Sequence, residues 1–203
     1  MGQILISKEN EIMLKDLLKA SRSYRSFDES VRIPNELLAD WIDHARYCPS
    51  SINLQMLKFR IVSTEKECAA LLPETRWAGK LKDVKLPPDG HAPVAYIVIC
   101  SDNSVIDGAD KFQKDVGICA QTIMLAACEA GFGGCIIGSF TSDNVKALLS
   151  LPAEVNPQQI LAFGKPDESV ELTEEAADGS VTYYRENGIH YVQKRTLEHL
   201  ILK

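Results

Sequence analysis

Basic residues are in deficit: 22 Lys and Arg stand against 28 Asp and Glu, a formal net charge of -6. A duplex-binding surface needs a large excess of cations to displace condensed counterions. An anionic membrane surface asks for the same excess, so neither nucleic acid nor membrane is an expected partner. A local cluster of a few cations can still hold one phosphate. The first residues, Met1-Gly2-Gln3-Ile4, show no basic stretch leading into a long apolar run, so no secretory leader is expected there. No two of the six cysteines (Cys48, Cys68, Cys100, Cys119, Cys128 and Cys135) form a C-x-x-C pair. That excludes a zinc knuckle and a disulfide framework, and predicts reduced, buried thiols in a cytoplasmic protein. His44, His91, His190 and His199 have no metal-ligand spacing, and G-x-S-x-G is absent, so neither metal nor hydrolase chemistry is supported. Only one apolar run is long. Residues 116–137 carry Gln121, Thr122 and Glu129 as their only polar side chains, but Gly131, Gly133 and Gly134 break the run. About 15 residues are left where a membrane span needs about 20, so a helix buried on all sides inside the protein is expected.

Apolar residues make up 45% and charged residues 25%, with no repeat or composition shift, which predicts one globular domain over residues 1–203. The spacing predicts helices over residues 8–20, from Pro34 to Pro49, over 64–72 behind a Thr64/Glu67 capping box, over 110–130 with Gly131 as C-cap, and over 142–149 behind a Ser cap. Strands are expected at 59–63, 94–100, 135–138 and 159–163. Asn187-Gly188 predicts a hairpin turn between residues 182–185 and 189–192. Residues 73–91 and the acidic stretch 165–180 read as exposed loops, the first a candidate lid. The strands do not alternate strictly with helices, so an α+β fold with a central mixed sheet is favoured over a parallel doubly wound one.

Four local patterns can carry chemistry. Ser21-Arg22-Ser23-Tyr24-Arg25-Ser26 puts guanidinium and hydroxyl donors directly after a helix, as a phosphate requires. The same arginines also suit the negative end of that helix. Pro49-Ser50-Ser51-Ile52-Asn53-Leu54-Gln55 offers amides that both donate and accept, which suits a heteroaromatic ring edge, although the composition is also that of a plain turn. Gly131-Phe132-Gly133-Gly134-Cys135-Ile136-Ile137-Gly138 follows a helix rather than opening one, so it is no dinucleotide fingerprint. It reads as a helix stop leading into a strand that a flat ligand can approach closely. Lys194-Arg195 is a cationic pair near the C-terminus.

In this order the four patterns resemble the nitroreductase family of flavin enzymes, over nearly the whole chain. The resemblance implies a mainly antiparallel sheet flanked by helices and an intertwined homodimer with FMN at the interface. By the same resemblance Arg22, Ser23 and Arg25 grip the phosphate and the pyrimidine edge. Pro49, Ser50, Ser51, Asn53 and Gln55 reach the flavin from the other subunit. Ile137, Gly138 and Ser139 lie along the ring, and Lys194 and Arg195 complete the phosphate site. The chain departs from the family pattern in having Ser21 where an arginine is usual and Met56-Leu57 after Gln55. The implied activity is hydride transfer from NADH or NADPH through FMN to a small organic acceptor such as a nitroaromatic or quinone. The alternatives are a non-catalytic flavin-binding or storage protein, a flavin fragmentation or dehalogenation enzyme, and a protein that kept the fold and lost the cofactor. No catalytic side chain and no metal ligand is assigned.

Overall fold

A computed structural model describes residues 13–81 and 84–202. Its elements are α1 (Leu14–Ala20), β1 (Phe27–Asp28), α2 (Asn35–Arg46), β2 (Leu57–Val62), α3 (Glu65–Leu71), β3 (Ala95–Asp102), α4 (Gln113–Glu129), β4 (Gly133–Ile137), α5 (Ser142–Leu148), β5 (Val155–Pro166), β6 (Ser169–Glu174), β7 (Tyr184–Glu186), β8 (Ile189–Lys194) and α6 (Leu197–Leu200). The beginning of the expected first helix, residues 8–12, lies outside the described residues.

The continuous apolar run of β3 is explained by burial on both faces. Ala95, Ile97 and Ile99 join the core under α2 and α4, while Tyr96, Val98 and Cys100 join a second core under α3 and α5. All eight residues of β3 are buried. The main sheet runs β1-β5-β3-β2, with β4 pairing along β5 next to β1, and every named pair in it is antiparallel. Trp41 of α2 packs on Phe163 of β5 with ring centroids 5.2 Å apart. The Thr64 cap is as expected: its Oγ1 accepts from the Glu67 N–H at 3.3 Å and donates to the Glu67 carboxylate at 2.8 Å. At the hairpin, Asn187 and Gly188 both have positive φ, 52° and 80°, as a primed turn needs. The fold is therefore α+β, mainly antiparallel and flanked by helices.

Three expectations are corrected. Residues 165–180 are not a loop: Ser169–Glu174 form β6, which pairs in parallel with β8. Its side chains are half or fully exposed, so no apolar alternation advertised it. Helix α5 is capped by the position of Thr141, and Ser142 instead donates its hydroxyl to the Pro157 carbonyl at 3.3 Å. Helix α4 is not enclosed on all sides in the single chain. Val116, Cys119, Ala120, Ile123, Met124 and Ala127 are buried, but Gly117, Ile118 and Gln121 are exposed. No helix among the described residues is long and apolar enough to cross a membrane.

Candidate active site

The loop after α1 is tied to the exposed edge of β4. Ser23 bridges Gly134, and the Tyr24 N–H donates to the Gly134 carbonyl at 2.9 Å. At the other end of β4 the Thr75–Trp77 segment closes the same edge: Thr75 bridges Phe140, and the Arg76 N–H donates to the Ser139 carbonyl at 2.9 Å. Between these closures lies a stretch of edge strand, residues 135–138, flanked by two loops. In an antiparallel strand successive residues direct their polar backbone groups to opposite edges. Gly134 faces the Tyr24 side, so Ile136, two residues on within β4, faces it too. The side chain of Ile137 is buried in the second core at 3% exposure, whereas Ile136 is 40% exposed. Strand alternation therefore puts the edge-facing backbone groups at Ile136, which the sequence reading passed over and whose side chain is also exposed, while Ile137 turns its side chain into the core and its polar backbone groups toward β5.

The glycines of this segment mostly accommodate protein. A Cβ at Gly134 would lie 2.3 Å from the Ala162 carbonyl oxygen, and one at Gly133 would lie 2.5 Å from the Tyr24 ring. The expected close approach to a ligand is thus taken up by β5 and Tyr24 at these two positions. Gly138 is different: its nearest neighbour would be Gln159 Nε2 at 3.6 Å, an ordinary contact.

Arg22 and Arg25 flank Ser23 at one end of the open edge. Arg22 donates through Nη2 to the Leu18 carbonyl at 2.5 Å, completing the last turn of α1, while its Nε is buried without a partner. Burial lowers the pKa of this guanidinium from its ordinary value. Arg25 donates through Nη1 to the Ser23 carbonyl at 3.1 Å and also keeps a buried Nε without a partner. Unpaired guanidinium nitrogens inside a protein are costly, and two of them in one loop fit the paired acceptor oxygens of a phosphate or a pyrimidine edge.

The second loop is held by α4. Asp115, 2% exposed, accepts from the Ser51 N–H and from Ser51 Oγ, both at 2.8 Å. Ser50 Oγ accepts from the Gln55 N–H at 3.2 Å, and Gln55 Nε2 donates to Asn53 Oδ1 at 3.1 Å. Ile52, Asn53 and Gln55 all sit at positive φ, 44°, 57° and 50°. Three non-glycine residues in left-handed conformation within four positions is a strained arrangement, and such strain collects at functional sites. Pro49, Ser50 and Gln55 border a cavity of about 330 Å³ between α2, β2 and α4, together with Cys48, Asp115 and Cys119. The Asn53 and Gln55 side chains face solvent.

The two loops do not meet within one chain. Asp115 anchors one near the start of α4, and the Gly131–Gly134 segment that holds the other follows its end. The helix separates them by about 20 Å at 1.5 Å per residue. The cationic pair of the tail is also apart from Arg25. Lys194 pairs with Glu174 at the far end of β6, and Arg195 forms an ion pair with Glu175 at 3.3 Å. Six residue steps, about 20 Å of extended chain, separate Glu174 from Glu168, the residue that Arg25 contacts.

A different group from the tail reaches Arg25. The Arg25 N–H donates to Glu168 Oε1, and Arg185 donates to Glu168 Oε2. His190, 2% exposed, places Nε2 at 3.4 Å from Arg25 Nη1, and the Arg25 guanidinium lies 5.6 Å from the centre of the Tyr183 ring. Burial, then the charges of Arg25 and Arg185, push the His190 pKa down from 6.5 to about 4. Sequence reasoning missed Glu168, Arg185 and His190, because they are polar residues on different elements with no shared spacing. All six cysteines are free, but Cys48 and Cys128 are only half-buried, which corrects the expectation of fully buried thiols. Burial raises the thiols of Cys68, Cys100 and Cys119 to about 11, 12 and 12.

The chain is thus an α+β protein with a basic loop tied to the open edge of β4. The sequence profile of the Nitroreductase family matches residues 18–165, and the chain belongs to that family. Among relatives, it is 25% identical over 179 residues to Bacillus subtilis (strain 168) "Putative NAD(P)H nitroreductase YodC", covering 74% of this chain and 88% of that one. A nitroreductase family protein of Streptococcus pneumoniae TIGR4 superimposes with a TM-score of 0.67 at 16% identity, covering 85% of this chain and 100% of that one. An FMN-dependent nitroreductase of Clostridium difficile R20291 gives 0.63 at 23% identity, covering 84% and 97%. At these identities the two structures establish the shared fold.

Proposed function

We propose that the chain is an FMN-dependent oxidoreductase that takes hydride from NADH or NADPH and reduces a small organic acceptor such as a nitroaromatic or a quinone, working as a homodimer in the cytoplasm. The observation that carries this reading is the open β4 edge, residues 135–138, ending at a loop whose two arginines keep buried, unpartnered Nε atoms. FMN, when bound, supplies the two-electron chemistry. Arg22 and Ser23 hold its phosphate, and Arg25 faces the pyrimidine edge, where a fixed cation favours the negative charge of the reduced form. Ile136 and Gly138 present backbone along the ring. Ser50, Ser51, Asn53 and Gln55 complete the slot from the neighbouring copy, with Pro49 shaping the turn.

Dimerisation is supported by the geometry of α4. Two copies packed antiparallel through Gly117, Ile118 and Gln121 would bring the Asp115 end of one helix to the Gly134 end of the other. The tail supports it as well: Leu197, Leu200, Ile201 and Leu202 are 70%, 63%, 58% and 97% exposed in one chain. Ser139 stands at the Arg76 end of the open β4 edge, whereas Lys194 and Arg195 reach the cofactor site only in that assembled form. Free thiols with raised pKa values fit a reducing compartment.

The test is an anaerobic titration of FMN-loaded protein with NADH and with NADPH, followed by visible absorbance. Loss of the oxidised-flavin band with one equivalent of donor is the expected result. Protein that stays colourless after incubation with FMN refutes flavin binding. Yellow protein that neither donor bleaches refutes the redox activity and favours storage.

A further inference from the structure

We propose that His190 is a positioning residue for Arg25: its imidazole accepts a hydrogen bond from the guanidinium and fixes the direction in which that cation faces the flavin. The proposal rests on the reading that Arg25 lies at the flavin's pyrimidine edge. A guanidinium can only donate. At 3.4 Å from Arg25 Nη1, His190 Nε2 is then the acceptor, which puts the imidazole proton on Nδ1, a buried atom with no other hydrogen-bond partner. The imidazole is buried between two arginines, Arg25 and Arg185, and Tyr183 packs beside it with ring centroids 5.4 Å apart. Burial and both cations oppose its protonation, so it is a neutral acceptor at pH 7.

The neutrality of the acceptor is what suits the task. A carboxylate in that place would orient Arg25 and also cancel its field. Here the nearby carboxylate, Glu168, touches Arg25 only at the backbone N–H, and its other oxygen is taken by Arg185. Arg25 is thus held at three points that leave its charge available: its amide by Glu168, its Nη1 by His190 and the Ser23 carbonyl, and its flat face by Tyr183. The Arg25 Nε keeps no protein partner. The hairpin of β7 and β8 brings Arg185 and His190 to the loop in cis, opposite each other in register.

Two measurements test this. The first needs no flavin: ¹⁵N NMR of the imidazole in the cofactor-free protein at pH 7 is expected to show the proton on Nδ1 and a bare Nε2. A proton on Nε2, or a charged ring, overturns the proposal. The second is the midpoint potential of bound FMN in Arg25→Gln, His190→Leu, His190→Gln and the Arg25→Gln/His190→Leu double variant. His190→Leu is expected to cost about tenfold in the preference for reduced over oxidised flavin, a fall of about 30 mV for two electrons. His190→Gln, which keeps an acceptor, should recover most of that loss. Because His190 acts through Arg25, the double variant should match Arg25→Gln alone. If the leucine variant does not fold, His190→Asn, whose amide is too short to reach Nη1, carries the same expectation. A wild-type potential in His190→Leu or His190→Asn, or additive losses in the double variant, overturns the proposal while leaving the role of Arg25 intact. A wild-type potential in Arg25→Gln, or protein that takes up no FMN, overturns the reading beneath it as well. The NMR result then reports whether the contact exists as a structural one.

Discussion

Replacing Asp115 by Ala separates the two duties of the loop that carries Ser50, Asn53 and Gln55. Asp115 accepts two hydrogen bonds from Ser51, and bonds to a charged group contribute about 1.5–3 kcal/mol each, or about 3–6 kcal/mol together. Against that stands the backbone of Ile52, Asn53 and Gln55 at positive φ. Left-handed conformation costs a residue with a side chain roughly 1–2 kcal/mol, so about 3–6 kcal/mol for the three. The sums nearly cancel, so the freed loop relaxes instead of dragging the fold apart. Ser51 is only half-buried, and water can satisfy its released groups. The expected loss of global stability is about 1–2 kcal/mol by urea unfolding of the cofactor-free protein, a fall in Tm of about 2–8 °C. Flavin affinity, read by quenching of FMN fluorescence, should fall at least tenfold because the amides lose their fixed direction. Asp115→Asn, which keeps one acceptor oxygen, should lie between. Wild-type affinity in the alanine variant, or a stability loss of the full ~3–6 kcal/mol with affinity unchanged, would refute the reasoning.

Gly134→Ala should be destabilising by about 3 kcal/mol or more, because the new Cβ would lie 2.3 Å from a backbone oxygen that cannot move aside. Gly138→Ala should leave Tm nearly unchanged, since its Cβ meets nothing closer than 3.6 Å, and should weaken FMN binding instead. Equal thermal shifts in the two variants would contradict the described packing of β4. Acid should destabilise the protein through His190. In the unfolded chain this imidazole binds a proton below about pH 6.5, but in the folded chain only below about 4. The unfolded state then holds more protons between these values, so stability falls as pH drops through that window, by up to about 3 kcal/mol at 1.36 kcal/mol per unit. His190→Gln should flatten that slope in urea titrations between pH 7 and 4.5, and an unchanged slope would rule His190 out as its source. Cys68, Cys100 and Cys119 should resist a thiol reagent at pH 8 until the protein is unfolded, which rapid native labelling would disprove.

Much of the fold was legible because local signals agreed with it. The unbroken apolar run of β3, the Thr64 capping box, the Asn187-Gly188 turn and the Gly131 stop each carry their own physics within a few residues. The loops that flank the candidate site were legible for the same reason, since Arg/Ser and Pro/Ser/Asn clusters are unusual side by side. Strand β6 was not legible, because a partly exposed strand makes its bonds through the backbone and shows no periodicity of its own. The exposed face of α4 was hidden by composition: apolar content says that a helix avoids water, and does not say whether its own chain covers it.

The sequence by itself determined most of the helices, strands and turns, though not β6, and which stretches carry phosphate-ready donors, since these follow from spacing, caps and side-chain chemistry. Only the tertiary structure decided that Ile136 and not Ile137 faces outward, that Glu168, Arg185 and His190 gather around Arg25, and that Lys194 and Arg195 do not. The reason is that such contacts are made between residues far apart in the chain. Strand pairing and register bring them together, and a one-residue shift in register would exchange the inward and outward faces of every strand involved.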